Sequence, residues 1–168
     1  MSKISHCLWF DHEAEEAANF YVSVFRDGKL GKITYYCTDE GQEIHGMPKG
    51  LVMTAEFEIG GLKYVALNGG PIFKHNESFS IVITCENQEE IDYYWEKLLS
   101  DGGEESQCGW LKDRFGVSWQ VQPAILQEMM CDPDPEKIRR VLHAFLRMKK
   151  YDIAALKRAY AGEPSVRD

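Results

Sequence analysis

The alternation of apolar and polar positions divides the chain into strand-sized and helix-sized segments. Residues 4–10 are a short apolar run that predicts a strand. Asp11 stands three residues before Ala14, so a helix is predicted over 13–25 with Asp11 as its cap. Glu13, Glu15 and Glu16 suit the positive end of its dipole. Ala14, Ala17, Ala18, Tyr21 and Phe25 recur at the three-and-four spacing of one helical face. Residues 32–37, β-branched and aromatic, predict a second strand, and the polar, glycine-rich stretch 38–50 a loop. Residues 51–59 and 63–68 flank Gly60-Gly61, the pattern of a hairpin with a two-residue glycine turn.

The second half begins in the same way. A strand is predicted over 79–84, then a helix opened by Glu86 or Asn87, running to Leu99 and stopped by Asp101-Gly102-Gly103. Two strand-like runs follow, 107–111 and 117–121, separated by Asp113-Arg114-Phe115-Gly116. After Pro123 the character changes. Asp132-Pro133-Asp134-Pro135 reads as a helix entry. Residues 136–148 then carry Ile138, Val141, Leu142, Phe145 and Met148 on one stripe. A last helix from Asp152 carries Ile153, Leu156 and Tyr160.

The two halves match each other. Residues 5–10 followed by Glu15-Glu16-Ala17 align with 79–84 followed by Glu89-Glu90-Ile91, an offset of 74. Phe20-Tyr21 then falls on Tyr94-Trp95. Residues 64–68 align with 118–122 at an offset of 54, and the loop 38–50 accommodates the 20-residue excess of the first copy. Each copy reads strand, helix and three strands. The predicted fold is α+β: two tandem βαβββ units, 1–72 and 76–123, whose paired sheets bury their apolar faces and enclose a cleft. Residues 1–123 form that domain and 124–168 a C-terminal helical extension.

Two tandem βαβββ units resemble the vicinal oxygen chelate superfamily, which includes glyoxalase I and bleomycin-resistance proteins. The likeness is most specific to its PhnB-like branch, often labelled demethylubiquinone 3-methyltransferase in name only. It is carried by Cys7-Leu8-Trp9-Phe10-Asp11, Glu15-Glu16-Ala17-Ala18-Asn19-Phe20-Tyr21 and Ala66-Leu67-Asn68-Gly69-Gly70-Pro71. In the second half it is carried by Gln107-Cys108-Gly109-Trp110-Leu111-Lys112-Asp113, by Phe115-Gly116-Val117-Ser118-Trp119-Gln120 and by Met148-Lys149-Lys150.

The resemblance implies a metal site with one ligand on the first and last strand of each unit, usually His, Glu or Gln. Transferred by spacing, those positions are His6, Ala66, Ser80 and Gln120, with His6 standing 14 residues before Phe20. Ala66 cannot ligate, Ser80 is a weak neutral donor, and Gln120 offers an amide where a carboxylate is usual. Catalytic zinc normally has three protein ligands, so no bound metal and no other cofactor is expected. Convergence of His6 with the loop histidines His45 and His75 stays open, while His12 reads as a surface residue and His143 as a surface or interface residue.

Composition narrows the function further. With 27 acidic against 19 basic residues the net charge is -8, which repels phosphate backbones and anionic lipid, so neither nucleic acid nor membrane is an expected partner. No apolar run reaches the ~20 residues of a membrane span, and the first residues lack a secretory leader. The five cysteines, Cys7, Cys37, Cys85, Cys108 and Cys131, form no CxxC pair; they read as reduced, small, buried residues of a cytoplasmic protein. Gly69-Gly70 leads towards another strand and Gly102-Gly103 ends a helix, so neither makes the strand–glycine–helix turn that holds S-adenosylmethionine.

What remains is a ligand cleft. Alternation places His6, Leu8 and Phe10 on one side of their strand, with Ala66 and Asn68, Ser80, Val82 and Thr84, and Gln120 and Gln122 sharing that side. Trp110 and Trp119 are candidates to stack on a ligand or to fill the core, and Trp9 is expected on the other side, under the first helix. The predicted binding residues are His6, Leu8, Phe10, Asn68, Ser80, Trp110, Gln120 and Gln122. They suit an unidentified small, partly polar organic molecule. The resemblance further implies paired chains without locating the interface; the apolar stripe of 136–148 either docks on its own domain or, as expected here, lies at or near a homodimer interface. Two other classes compete: a metal-dependent lyase, isomerase or dioxygenase of the glyoxalase type, and an interaction protein acting through its C-terminal helices. Whether a reaction is catalysed is open at this level.

Overall fold

The computed structural model describes residues 3–38 and 40–164. The chain divides into two compact units, Met1–His75 and Asn76–Asp168.

The first unit runs β1 (His6–Phe10), α1 (Ala14–Val24), β2 (Lys29–Tyr35), α2 (Gln42–His45), β3 (Val52–Ile59) and β4 (Leu62–Asn68). Its sheet has the order β1-β4-β3-β2, with β1 parallel to β4 and the other pairs antiparallel. The β3–β4 hairpin closes through Gly60 and Gly61 at φ 57° and 73°, the two positive values that a turn matching strand twist requires. The short helix α2, inside the stretch predicted as loop, is bounded by Gly41 and Gly46 in the left-handed region.

Helix α1 is not capped by Asp11. Its first N–H, that of Ala14, donates to Oδ1 of Asn68 at 2.8 Å. The reason is the parallel pairing: Phe10 lies opposite Asn68, so the end of β4 stands where the chain leaves β1 for the helix. The Asn68 amide nitrogen donates to the Val52 carbonyl at 2.9 Å, and its backbone carbonyl accepts from the Tyr36 hydroxyl at 2.7 Å. One buried amide thus ties together α1, β3 and the segment after β2.

Helix α1 covers the face of the sheet that carries Leu8, Phe10, Ala55, Phe57 and Ala66, all buried. Tyr21 of α1 is fully buried with its ring 5.5 Å from that of Phe57. Trp9 alternates to the opposite face, as expected, and therefore does not lie under α1. Its ring occupies the space beside Gly69, where an added Cβ would come within 2.2 Å of the indole. Its Nε1 donates to the Gly70 carbonyl at 2.8 Å, and Phe73 meets it edge-on.

The second unit runs β5 (Ile81–Cys85), α3 (Gln88–Leu99), β6 (Glu104–Glu105), β7 (Trp110–Lys112), β8 (Ser118–Pro123), α4 (Ala124–Met130), α5 (Pro135–Phe145) and α6 (Ile153–Ala161). The sheet order β5-β8-β7-β6 repeats the first unit's topology. Asn87 caps α3, its side chain accepting from Glu90 N–H. Ile83, Cys85, Leu111, Trp119 and Val121 are buried against Ile91, Trp95 and Leu98 of α3. Trp119 is therefore core. The strand predicted over 107–111 is interrupted because Cys108 and Gly109 take φ of 56° and 77°.

That interruption is where the tail docks. Cys108 and Gly109 N–H donate to the Met148 and Lys149 carbonyls, each at 2.7 Å. Gln88 reaches from α3 to the Tyr151 carbonyl and the Ile153 N–H, both at 2.9 Å. The buried Tyr151 ring covers Gly109 so closely that a Cβ there would come within 2.4 Å of it. The tail is consequently integral to the second unit. Val141 is buried, Ile138, Phe145 and Met148 are half-buried, and Leu142 is 38% exposed.

Among the described residues no helix is long and apolar enough to cross a membrane. All five cysteines are free, but the expectation of burial holds only for Cys85, since Cys7, Cys37 and Cys131 are exposed and Cys108 is half-buried. Desolvation, with Glu90 and Glu86 nearby, pushes the Cys85 thiol up to about 12.

Candidate functional site

Each sheet has one face under its helix and one face without it. On the second sheet, cross-strand pairing puts Val82 opposite Gln120, Thr84 opposite Gln122, Trp110 opposite Gln120, and Lys112 opposite Ser118. These residues alternate with the buried ones against α3, so they form the open face. Ser80, just before β5, accepts from Gln120 Nε2 at 2.9 Å. Four predicted binding residues, Ser80, Trp110, Gln120 and Gln122, are thereby brought together around Val82, which is 47% exposed.

The other four, His6, Leu8, Phe10 and Asn68, also share a face, but it is the one under α1. The alignment of the two copies explains why. Helices α1 and α3 correspond at the offset of 74, whereas β1 and β5 correspond at 75, with the buried pair Leu8 and Phe10 matching Ile83 and Cys85. A slip of one residue moves every side chain of a strand to the opposite face. In the first unit, the counterparts of Ser80 and Gln120 are therefore Ser5 and Val65, not His6 and Ala66. The large apolar residues of the strands carried this signal; the acidic residues of the helices, on which the repeat was aligned, did not.

These positions do not suit the metal that the superfamily implies. Ser5, Val65, Ser80 and Gln120 provide no imidazole and no carboxylate. His6 stacks on Tyr64 at 5.1 Å, and His45 stacks on Tyr36 at 4.7 Å while its Nδ1 accepts from Met47 N–H. His75 stands edge-on to Phe10. Among the described residues no group of three or more His, Cys, Asp or Glu is placed to hold a metal ion.

Sequence reasoning missed two features of the second unit. Asp113, buried in the β7–β8 turn, accepts from Phe115 N–H, Val117 N–H and Trp119 Nε1 at 2.9, 3.1 and 2.8 Å and so builds the turn. On the open face, the Lys112 ammonium pairs with Glu77 at 2.5 Å, and the hydrogen bond from Lys112 holds the Glu77 carboxyl below its usual range. Both residues border a depression of about 450 Å³ that is also lined by Glu104, Trp110 and Ser118.

Two βαβββ units with the glyoxalase/bleomycin-resistance fold, together with a family match over most of the chain, define a member of the vicinal oxygen chelate superfamily. Residues 2–122 match the family model described as 3-demethylubiquinone-9 3-methyltransferase. The chain belongs to that family, the PhnB-like branch of the superfamily. A solved structure described as a putative 3-demethylubiquinone-9 3-methyltransferase, PhnB protein, from Bacillus cereus is 32% identical, with coverage of 73% of this chain and 100% of that one and a TM-score of 0.63. Protein PA1353 from Pseudomonas aeruginosa is 21% identical over 73% and 98% of the two chains, with a TM-score of 0.57. The fosfomycin resistance protein FosX from Mesorhizobium loti shares the fold at 14% identity over 79% and 99%, with a TM-score of 0.52. No curated protein matches the sequence. Helices α4 to α6 lie beyond the family match.

Proposed function

We propose that this is a cytoplasmic protein that binds a small, partly polar organic molecule on the open sheet surface, without a metal at the superfamily's four positions. The observation that carries this reading is the second sheet's open face. Half-buried Trp110 and half-exposed Val82 provide apolar contact there. The Ser80–Gln120 hydrogen bond leaves the Gln120 carbonyl and the Ser80 hydroxyl proton available to a ligand. Few polar groups within an apolar surface are the usual composition of a small-molecule site. Methyl transfer receives no support from the glycine pairs: Gly69-Gly70 follows β4 and Gly102-Gly103 follows α3, and neither opens a helix. The same reading pairs the chain with a second copy in solution; Leu142 and Leu146, 38% and 55% exposed, are apolar surface such pairing would cover.

The test is native mass spectrometry of protein taken directly from cells, before and after denaturation. A retained organic mass that is reduced in Gln120→Leu and Trp110→Ala supports the proposal. Empty protein that also fails to bind any member of a fragment library refutes it, and a single-chain mass in light scattering removes the dimer.

A further inference from the structure

The open face of the second sheet carries a row of side chains whose chemistry is more specific than the reading above. Glu104 lies opposite Lys112 and Lys112 opposite Ser118, so the three stand in line across β6, β7 and β8 on the side away from α3. They border the depression of about 450 Å³, with Trp110 two residues before Lys112 on β7 and Glu77 at the side.

Two of these groups are unsatisfied. Ser118 is only 1% exposed, yet its hydroxyl has no hydrogen-bond partner among the described residues. Native proteins rarely leave a buried hydroxyl without a partner, which is supplied by protein, ordered water or a bound group. The Lys112 ammonium is already neutralised by Glu77 at 2.5 Å. The neighbouring Glu104 carboxylate joins no ion pair among the described residues, which leaves a net negative charge on this part of the face. Trp110, half-buried, offers a ring beside it, a surface on which both apolar rings and cations are held.

We infer that this depression takes a small protonated organic amine that carries a hydroxyl or carbonyl oxygen on an apolar or aromatic body. The amine lies against Glu104, the body against Trp110, and the oxygen meets the Ser118 hydroxyl. The inference rests on the small-molecule reading and adds to it the ligand's charge and its place. An organic anion would meet Glu77 and Glu104 and would have to break the Lys112–Glu77 pair.

Three probes that share a phenol and differ in charge test this on the full chain: tyramine, p-cresol and 3-(4-hydroxyphenyl)propionate, titrated at neutral pH and followed by amide NMR. Tyramine should shift resonances within 104–118 saturably, and the neutral and anionic probes should bind at least about tenfold more weakly. Glu104→Gln, at an exposed position, should weaken tyramine about fivefold or more without altering the thermal midpoint. Ser118→Ala should weaken tyramine and p-cresol by a similar factor, because both present the phenol oxygen to that hydroxyl. Equal or tighter binding of the anion overturns the inference, as does tyramine binding insensitive to Glu104→Gln. Shifts confined to other parts of the chain also overturn it but leave small-molecule binding standing. Silence from all three probes overturns it as well, and the co-purification experiment then judges the broader reading separately.

Discussion

The two units share one topology and differ in how they are secured. In the first, a single buried amide, Asn68, joins the helix, the central strands and the segment after β2. In the second, the β7–β8 turn is built on Asp113, and a three-helix tail is stitched on at Cys108, Gly109 and Gln88. The difference teaches that a duplicated fold keeps its strand order while the polar anchors change.

The largest effect is expected at the tail's attachment. Gly109→Ala places a methyl group against the Tyr151 ring and the Val121 carbonyl at a positive φ. A loss of several kcal/mol is expected, with amide exchange accelerating in α5 and α6 while β3 and β4 stay protected. Uniform acceleration in both units would show that the tail is not an attachment of the second unit alone.

Asp113→Ala should follow at about 3 kcal/mol, because three donors, two of them buried, lose their acceptor. Asn68→Ala should cost about 2 kcal/mol, read by chemical denaturation, with the first turn of α1 opening first. If the two losses were reversed in size, the ranking of anchors proposed here would be wrong.

Acid should separate the units by a smaller margin. Glu77, Asp92 and Asp132 have lowered pKa values, through hydrogen bonds chiefly from Lys112, Lys150 and Tyr160, and all three lie in the second unit. A carboxyl lowered on folding contributes stability above its unfolded pKa, about 4, and that contribution is lost as pH falls through the folded value. The second unit should therefore loosen before the first as pH falls below about 4, and the triple change Glu77→Gln, Asp92→Asn, Asp132→Asn should flatten the profile. Glu77 and Asp92 are exposed and screened, so the shift in midpoint should be small.

The strand and helix order was legible because period and turn signals are local: the Gly60-Gly61 hairpin and the Asn87 cap depend on neighbours in sequence. The Asp11 cap failed because the acceptor for Ala14 comes from Asn68, 54 positions away across a parallel ladder. The candidate site was legible in the second unit, where Ser80, Trp110, Gln120 and Gln122 share a face. In the first unit it was lost to a one-residue slip that no helix alignment detects. The row Glu104, Lys112, Ser118 was hidden because β6 is two residues long and carries no alternation to read.

The most direct test of the central claim, that the open face works without the superfamily's metal, is elemental analysis of protein expressed with manganese, iron, nickel and zinc supplied and purified without chelator. The account predicts substoichiometric metal and an organic ligand whose binding is unchanged by EDTA. One tightly held metal per chain, released by Ser80→Ala or Gln120→Leu, would contradict it.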